Sequence, residues 1–399
     1  MSRQPDDPPS DHPDLQRRRL LALAAGGAIA VPLLGRRALA APAPADRWRG
    51  ALIINALGDL ENPNLTAGGS NQAVPPTEEQ QIDARAIHDA HASGLSAINI
   101  TLGYVAGQTD PYEYTIQQIG VWDRIVRDHP KDFLKVYRAG DILQAKREGC
   151  IGVIFGFQNA AQVGDKLDRI DTFANLGVRV IQLTYNPENQ IGGGSMAPGN
   201  RGLTPFGREV VARLNQNRVM VDLSHSGQQT CLDAIRVSTQ PISINHTGCR
   251  ALTDLPRNKT DEELRLVAEK GGFVGIYFMP FLAASGHAHA TDVVAHLEHA
   301  LKVCGEDHVG IGTDGTVTQI DDLQAYASAL AKEVAARKAA GIGAKGERAD
   351  TYPFVVDLRG VNQFRELADR LAARGHSTGQ IEKILGLNFL RYAREIWAS

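Results

Sequence analysis

Five short apolar runs in this chain each end in a residue type that can bind a metal ion or transfer a proton. The runs are IINALGD, VIFGFQ, VMVDLSH, ISINH and VGIGTD, and they end in Asp59, Gln158, His225, His246 and Asp314. A parallel β-strand that presents one polar side chain just beyond its carboxyl end is how a (β/α)8 barrel builds an active site. The five side chains are therefore predicted to meet at the mouth of such a barrel.

Two of these side chains are histidines at equivalent places on successive predicted strands. A single histidine is more often a structural hydrogen-bonding residue, although neutral imidazole is also a common ligand of divalent metals. The pairing of His225 with His246, together with the carboxylates that end two other strands, favours a metal site. Asp314 is the candidate acid and base that acts on a metal-bound water and later on the leaving amine. Its alternative role is to cap the segment that follows it.

A sixth candidate, Arg257, lies in LPRNKTDEE shortly after the sixth predicted strand. A guanidinium group can hold a carboxylate through two parallel hydrogen bonds, and the free C-terminus of a peptide is such a carboxylate. The alternative is a solvated loop charge beside a helix that Thr260 and Asp261 would cap. We adopt the substrate-binding interpretation.

The elements that must position these residues alternate between strand and helix patterns. The predicted strands are residues 52–55, 97–102, 152–157, 179–184, 219–223, 242–245, 273–278 and 309–312. The predicted helices between them are residues 78–93, 115–128, 139–148, 166–176, 205–216, 228–237, 261–269 and 292–303. The strands are short, rich in Val and Ile and apolar throughout, which is typical of buried parallel strands. Eight such units favour an α/β fold with a closed (β/α)8 TIM barrel over an open doubly wound sheet.

Three segments outside this alternation complete the predicted architecture. Residues 361–374 and 380–397 are predicted to form C-terminal helices that pack on the barrel. The loop at residues 186–204 is rich in Gly, Pro and Asn and is a candidate lid or substrate wall. The segment at residues 337–348 is polar and contains glycine, so we predict that it is exposed.

The composition is that of an ordinary globular protein. The chain has 399 residues, of which 43% are hydrophobic and 22% charged, and its formal net charge is −3. This near-neutral balance gives no support for binding to nucleic acid or to anionic membranes. The four cysteines have no C-x-x-C spacing, so they indicate neither a zinc ribbon nor a dithiol redox motif.

The first forty residues have the features of an export signal. Three arginines at residues 17–19 precede an apolar stretch at residues 20–34, and Ala38-Leu39-Ala40 offers an A-x-A cleavage site. Arginines followed by leucines are typical of a twin-arginine signal. We therefore predict a signal peptide at residues 1–40, a linker at 41–50 and a single barrel domain at 51–399. The mature protein is expected in the periplasm without a transmembrane segment; the alternative is an uncleaved amphipathic anchor.

Longer motifs add a resemblance to a known family. They are LTYNPEN, GLTPFGREVVARLNQNRVMVDLSHSG, PISINHTGCRAL, LPRNKTDEEL, DHVGIGTD and ILGLNFLRY, and they span nearly the whole predicted mature chain. These motifs resemble the membrane dipeptidase family (renal dipeptidase-like, peptidase family M19). The resemblance implies a (β/α)8 barrel of the metallo-dependent hydrolase type with two zinc ions that cleaves dipeptides at its carboxyl-terminal face.

The same resemblance assigns a role to each candidate residue. It implies that His225 and His246 bind one metal ion, that Arg257 binds the substrate carboxylate, and that Asp314 acts on the catalytic water or the leaving group. Asp59 would be the carboxylate of an H-x-D pair that serves the other metal ion. Members of the family are often dimers, so a homodimer is a further expectation.

Three positions depart from the family pattern. Leu57 stands where H-x-D has its histidine, and Gln158 stands where a glutamate that bridges both metal ions is expected. Tyr185, in LTYN, replaces a histidine that assists the tetrahedral intermediate, and it is kept as a candidate catalytic and substrate-binding residue. An amide oxygen is a weaker ligand than a carboxylate. We therefore expect one zinc ion, or none, at Gln158 and the two histidines, and Asp59 alone at the second site.

Two functions follow from these observations. The leading one is a metal-dependent dipeptidase-like hydrolase that cleaves a dipeptide, or a related amide, with a free C-terminal carboxylate. The alternative is a barrel that has lost two-zinc peptide hydrolysis and acts as a tailoring enzyme or binding protein for a peptide-like metabolite. A second histidine group, GHAHATDVVAHLEH, is ascribed to packing around His296, and the alternative is a recruited metal site at His287 and His289.

Overall fold

The computed structural model of the protein describes residues 47–65 and 82–397. The predicted signal peptide at residues 1–40 and the linker up to residue 46 lie outside these ranges. The strands are β1 (Ile53–Gly58), β2 (Leu95–Thr101), β3 (Phe133–Lys135), β4 (Ile151–Phe157), β5 (Val178–Gln182), β6 (Met220–Asp222), β7 (Ser243–Thr247), β8 (Phe273–Ile276) and β9 (Val309–Ile311). All eight predicted strands are confirmed; β3 is additional.

Helices separate the strands and follow the last of them. They are α1 (Ala84–Ser93), α2 (Pro111–Asp128), α3 (Ala139–Glu148), α4 (Asp168–Asn175), α5 (Pro205–Gln216), α6 (Gln228–Val237), α7 (Asp261–Glu269), α8 (Ala290–Cys304), α9 (Leu323–Ala339), α10 (Gln363–Ala373), α11 (Thr378–Glu382) and α12 (Asn388–Ile396). A π-helical turn, Lys383–Leu387, joins α11 to α12. Within the described ranges, no helix is long and apolar enough to cross a membrane.

The strands form a nearly closed parallel barrel in the order β1, β2, β4, β5, β6, β7, β8 and β9, and β3 pairs with the first half of β4. Two hydrogen bonds join the first and last strands just beyond their carboxyl ends. The backbone N–H of Asp314 donates to Leu57 at 3.0 Å, and that of Asp59 donates to Gly315 at 3.2 Å. The seam of the barrel therefore brings these two carboxylates together. The predicted TIM barrel is confirmed.

Close approach of three strands depends on two glycines. A Cβ atom on Gly275 of β8, or on Gly312 after β9, would lie 2.0 Å from the backbone oxygen of Asn245 in β7. Such a distance is far inside van der Waals contact, so only glycine allows the three backbones to pack this closely. His246 follows Asn245 directly and Asp314 lies two residues after Gly312, so both lie next to this close contact.

The helix after Arg257 has a complete cap of its own. Thr260 Oγ1 accepts a hydrogen bond from the backbone N–H of Glu263, and the Glu263 carboxylate accepts one from the backbone N–H of Thr260 at 2.9 Å. This reciprocal pair satisfies two of the free N–H groups at the start of α7. Leu264 and Val267 on its inner face are fully buried. Arg257 is therefore not needed at this helix terminus.

The C-terminal helices pack on the barrel, as predicted. Phe389 and Tyr392 of α12 contact Phe273 at the start of β8, and the rings of Phe273 and Phe389 meet edge to face at 5.2 Å. Trp397 is 1% exposed and packs against Phe389. Edge-to-face aromatic pairs add about 1 kcal/mol each beyond the apolar area that they bury.

Helix α9 was not predicted. Its apolar residues form no continuous stripe, and Leu330 is its single fully buried side chain. A helix without an apolar stripe gives no periodic signal in the sequence. This helix carries side chains to the mouth of the barrel.

Candidate active site

A cavity of about 760 Å³ opens at the carboxyl ends of the strands. Six of the seven predicted site residues line it, namely Asp59, Gln158, Tyr185, His225, Arg257 and Asp314. The seventh, His246, is fully buried behind His225, and the centres of the two imidazole rings are 5.0 Å apart. The structure thus brings the predicted residues together at one place.

The hydrogen bonds of His225 leave one of its nitrogens facing an acceptor. Its Nδ1 lies 2.7 Å from Oδ1 of Asn186, and its Nε2 lies 3.2 Å from Oε1 of Gln158. Burial, with the nearby charge of Arg257, holds the pKa of His225 well below its usual range, so the ring is neutral. A neutral imidazole donates one hydrogen bond only. With Nδ1–H on Asn186, the Nε2 lone pair therefore points at another lone pair.

This spacing is that of two ligands of one cation. Zinc ligands lie about 2.1 Å from the ion, so two neighbouring ligands lie roughly 3 Å apart. Gln158 is fixed in this orientation because its Nε2 donates to Thr101 Oγ1 at 2.7 Å and its amide also donates to Asp314. The amide oxygen is thereby directed at His225.

His246 also has ring nitrogens that lack a hydrogen-bond partner. It is 0% exposed, and neither of its ring nitrogens has a hydrogen-bond partner among the described residues. Its backbone N–H is fixed by the hydroxyl of Ser224 at 3.0 Å. A buried polar atom without a partner costs about 1–3 kcal/mol, so such atoms are rare unless a ligand or water satisfies them. His246, His225 and Gln158 together fit one metal ion.

The residues at the position of a second ion do not fit. Leu57 is 2% exposed and has no side-chain atom that could bind a metal. In the part of the chain that the structure describes, no three His, Cys, Asp or Glu side chains form a group that could hold a metal ion. At this second position Asp59 is therefore the one expected metal-ligand residue that the chain retains.

The two carboxyl groups at the barrel seam have shifted proton affinities. Burial raises the pKa of Asp314 to about 7, and the charge of Asp59 adds to this rise while Arg257 and Arg337 oppose it. Burial likewise raises the pKa of Asp59 to about 6, opposed by a hydrogen bond from the Thr101 backbone. Asp314 also has a φ of +57°, a strained backbone that is typical of functional positions. A carboxyl group with a pKa near 7 can both accept and return a proton.

Arg257 is a buried cation that faces the cavity. It is 1% exposed, and its Nη1 donates to the backbone oxygen of Ser224 at 2.5 Å. No carboxylate of the described residues forms an ion pair with it. The alternative interpretation of Arg257 as a solvated loop charge is thereby excluded. A buried guanidinium without a carboxylate partner is costly, and an anionic ligand would offset that cost.

Tyr185 is held against His225 from one side and by a guanidinium from the other. The two rings are stacked with their centres 4.2 Å apart, and Arg337 Nη2 donates to the Tyr185 hydroxyl at 3.3 Å. Arg337 is in turn paired with Glu347. Neither Arg337 nor Glu347 was predicted from the sequence as a site residue.

The prediction that residues 337–348 are exposed is wrong for the side of this segment that faces the cavity. Arg337, Ile342 and Glu347 are half-buried, and the backbone oxygen of Ile342 accepts a hydrogen bond from Asn186 at 2.9 Å. The segment was predicted to be exposed because it is polar. Its polar groups instead face a polar cavity.

The loop at residues 186–204 is mostly not a wall of the cavity. Asn186 lines the cavity, but the rest of the loop lies against the start of α6, where Gly193 accepts hydrogen bonds from Gly227 and Thr230, both at 2.9 Å. The wall at that side is formed by α9 and the segment that follows it. A second residue of the loop, Ser195, supports Asn186, because its hydroxyl donates to Asn186 Oδ1 at 3.0 Å.

The second histidine group is divided between surface and core. His287 and His289 are exposed and lie near different aspartates, Asp350 at 3.8 Å and Asp357 at 3.6 Å, which gives no support for a recruited metal site. His296 is buried: its Nδ1 accepts from the Cys249 backbone at 2.8 Å and its Nε2 donates to Leu282 at 2.9 Å. His296 therefore ties α8 to the loops after β7 and β8.

Protonation of His296 is expected to destabilise the fold. Burial lowers its pKa from 6.5 to about 4. The folded state therefore binds this proton less readily than the unfolded chain, so the contribution of His296 is complete above pH 6.5 and is lost as the pH falls from 6.5 to 4. Between pH 7 and pH 5 this group should cost about 2 kcal/mol of unfolding free energy. Urea unfolding of the wild type and His296→Gln at both pH values measures it. An equal loss in the two proteins would contradict this assignment.

Comparisons with known proteins identify the family of the chain. A sequence model of the family described as membrane dipeptidase (peptidase family M19) matches residues 70–340. The chain is similar to a dipeptidase, tcpJ, of Claviceps purpurea, with 29% identity over 286 residues that cover 71% of this chain and 60% of that protein. It is also similar to an uncharacterized dipeptidase of Schizosaccharomyces pombe, with 31% identity over 69% of this chain and 61% of that one. The chain thus spans about three fifths of these relatives.

Solved structures share the fold. An amidohydrolase from Pseudomonas aeruginosa superposes with a TM-score of 0.72 at 29% identity, over 90% of this chain and 100% of that one. A metallopeptidase from Rhodobacter sphaeroides, solved with a phosphinate mimic of the dipeptide L-Ala-D-Ala, has a TM-score of 0.68 at 20% identity, over 87% and 99%. The family match covers more than half of the chain, and the barrel fold agrees with it. The chain belongs to the membrane dipeptidase family, peptidase family M19.

Proposed function

We propose that the protein hydrolyses the amide bond of a dipeptide, or of a related small amide, that has a free C-terminal carboxylate. The observation that carries this proposal is Arg257, a buried guanidinium that faces the cavity and has no carboxylate partner among the described residues. An anion bound there would offset the cost of the buried charge. The same cavity contains Asp314, so the anchor and the proton-transfer group act on one small molecule.

Arg257 selects the substrate class. One N–H of its guanidinium is taken by the Ser224 backbone, which fixes the group and leaves the other donors for a ligand. A carboxylate matches the fork of two remaining donors, whereas a neutral amide does not. Capture of the C-terminus holds the rest of a small peptide in the part of the cavity that His225 and Asp314 line.

Asp314 moves the proton. As a carboxylate it accepts a proton from the attacking water, and as the acid it returns that proton to the nitrogen of the departing amine. A pKa near 7 makes both forms accessible at neutral pH, and burial is its main cause. The carboxylate of Asp59 lies close enough to favour the protonated form of Asp314, which assists the second half of the reaction.

The proposed cofactor is one zinc ion held by His225, His246 and the amide oxygen of Gln158. When bound, a zinc ion supplies a Lewis acid that polarises water or the amide carbonyl. The support is the unpartnered state of His246 and the 3.2 Å contact between Nε2 of His225 and Oε1 of Gln158. Three neutral ligands bind a divalent ion less tightly than a set that includes a bridging carboxylate.

Restoring the two missing ligands is expected to increase the metal content. The double substitution Leu57→His with Gln158→Glu adds an imidazole beside Asp59 and a carboxylate between the two positions. We expect elemental mass spectrometry to show a rise from about one zinc ion per chain to about two. Glu148→Gln, an exposed carboxylate on α3, is a control for altered surface charge and should leave the content unchanged. An unchanged metal content in the double variant would mean that positions 57 and 158 do not face a metal site.

Hydrolysis of matched substrates tests the proposed function. A panel of dipeptides and the same dipeptides amidated at the C-terminus would be incubated with the zinc-loaded protein, and the released amine quantified. We expect turnover of free dipeptides and a kcat/KM at least about tenfold lower for the amides, since the charge-assisted contact to Arg257 is lost. Absence of turnover on the whole panel would overturn the proposal.

The second candidate function rests on Gln158. Its amide is hydrogen-bonded to Thr101 and Asp314, so it is an integrated part of the site. A cavity with this residue, and with Leu57 at the second metal position, can bind a peptide-like metabolite without hydrolysing it, as a tailoring enzyme or binding protein. Binding of dipeptides without release of amine would favour this function.

Export is a further proposal. The arginines and apolar run at residues 1–40 support export through the twin-arginine route to the periplasm. A homodimer is proposed on the family resemblance alone.

A further inference from the structure

We infer that Arg337 is a positioning residue that directs the Tyr185 hydroxyl as a hydrogen-bond donor toward the substrate's scissile carbonyl oxygen. This inference rests on the proposed hydrolytic function. It concerns the last turn of α9 and the residues that follow this helix. We call residues 337–347 the covering segment.

The direction of one hydrogen bond carries the inference. A guanidinium group can only donate, so in the 3.3 Å contact between Arg337 Nη2 and Tyr185 Oη the phenol oxygen accepts. Within the described residues, Arg337 is the one hydrogen-bond partner of this oxygen. The O–H of Tyr185 is consequently left to donate elsewhere. Both side chains line the cavity, so this O–H group is available to a ligand that binds there.

Both members of the pair are rigid. The Tyr185 ring is 9% exposed and stacked on His225 at 4.2 Å. The Arg337 Nε donates to Glu347 in an ion pair, and Glu347 is itself fixed because its other oxygen accepts from the Ala344 backbone at 2.8 Å. Donors that are held in place before the reaction stabilise developing charge without the cost of reorganisation.

A second contact joins the covering segment to the same site. The backbone oxygen of Ile342 accepts from Asn186 Nδ2 at 2.9 Å, and Oδ1 of Asn186 faces Nδ1 of His225 at 2.7 Å. The segment thus contacts two adjacent residues, Tyr185 and Asn186, which both touch His225. The covering segment is therefore joined by hydrogen bonds to the two residues that orient His225.

The chemistry explains why an arginine would stand behind a tyrosine. Attack on an amide carbonyl places negative charge on its oxygen. A donor aimed at that oxygen lowers the activation free energy of this step. A charged donor on the phenol oxygen polarises the O–H bond and strengthens it as a donor. Tyr185 would touch the substrate, and Arg337 would act through Tyr185.

Four variants test the inference by steady-state kinetics on a dipeptide. Removal of one such donor usually lowers kcat by about 10²–10³-fold, so Tyr185→Phe should fall in that range. Arg337→Met should lower kcat by about 10-fold or more with little change in KM, and the double variant should be no slower than Tyr185→Phe alone. Arg337→Lys, which keeps a charged donor, should recover part of the loss. Lys338→Met, the next residue and exposed, is the matched control and should equal the wild type.

Binding of a phosphinic dipeptide separates the two proposals. Its tetrahedral phosphorus mimics the attacked carbonyl, so calorimetry reports donor contacts without turnover. We expect Arg337→Met to weaken the phosphinic dipeptide at least about tenfold more than it weakens the substrate dipeptide. Three outcomes with an active wild type would overturn the role of Arg337 but not the proposed function. They are an equal kcat for Arg337→Met and Lys338→Met, a loss in Arg337→Met that is confined to KM, and multiplicative losses of kcat in the double variant. A wild type that neither hydrolyses dipeptides nor binds the phosphinic dipeptide would overturn the proposed function and this inference with it.

If Arg337→Met lowers the thermal unfolding temperature, the kcat values of Arg337→Lys and Arg337→Met are compared at a temperature at which both variants are fully folded. This comparison decides whether Arg337 positions Tyr185. A kcat for Arg337→Lys between those of Arg337→Met and the wild type supports positioning. A kcat for Arg337→Lys no higher than that of Arg337→Met, in a fully folded protein, contradicts it.

Discussion

Replacing Asp314 with asparagine is expected to lower kcat for dipeptide hydrolysis by about 10²–10⁴-fold, since an amide can neither take up nor return a proton. The aspartate lies at the barrel seam, half-buried beside Asp59, with a pKa raised to about 7. Its φ of +57° is a conformation that asparagine tolerates better than most residues, so the variant should fold normally. Steady-state kinetics, with thermal unfolding as a check on the fold, measure the loss.

A matched control lies at the opposite end of the same strand. Asp307 precedes β9, is 59% exposed and pairs with Lys383 at 2.7 Å. Asp307→Asn should leave kcat within about twofold of the wild type, because exposed ion pairs contribute little. Should Asp314→Asn and Asp307→Asn show equal activity, Asp314 would have no part in proton transfer.

Replacing Arg257 with methionine is expected to lower kcat/KM for free dipeptides without lowering the free energy of unfolding much. Loss of a buried charged contact costs about 2–5 kcal/mol of binding, so kcat/KM for free dipeptides should fall at least about 30-fold, mainly through KM. The free energy of unfolding should change little, because the cost of burying the charge is removed together with its hydrogen bond to Ser224 and its attraction to Asp314. Kinetics and urea unfolding on the same preparation measure both quantities.

The substrate decides whether Arg257 acts on the carboxylate. On C-terminally amidated dipeptides, Arg257→Met should differ from the wild type by only a few-fold, since the amide offers no anion to bind. Arg250→Met, in the same connection between β7 and α7 and paired with Asp254 at the surface, is the control. Equal losses on free and amidated substrates would show that Arg257 maintains the shape of the site and does not bind the carboxylate.

The barrel and most of the site could be predicted from the sequence because their signals are local. Each buried parallel strand is a short apolar run, and the residue after it lies at the barrel mouth whatever the rest of the chain does. That rule placed Asp59, Gln158, His225 and Asp314 in one cavity, and the structure confirms their proximity. Arg257 required one further inference, from the chemistry of a guanidinium group after a strand.

What the sequence did not reveal depends on contacts between distant segments. Arg337 is 152 residues from Tyr185, and α9 has no apolar stripe to mark it as a helix. The unpartnered nitrogens of His246 and the contact between His225 and Gln158 are also tertiary facts. A polar segment can face water or a polar cavity, and its composition is the same in both cases.

The metal content of the protein tests the central claim most directly. Protein exported from its own host and purified without chelators or metal affinity resins would be measured by elemental mass spectrometry before and after zinc is offered. The proposed zinc site at His225, His246 and Gln158 predicts about one zinc per chain. A content near zero that persists after zinc is offered would contradict the account and make the dipeptidase relationship one of ancestry alone.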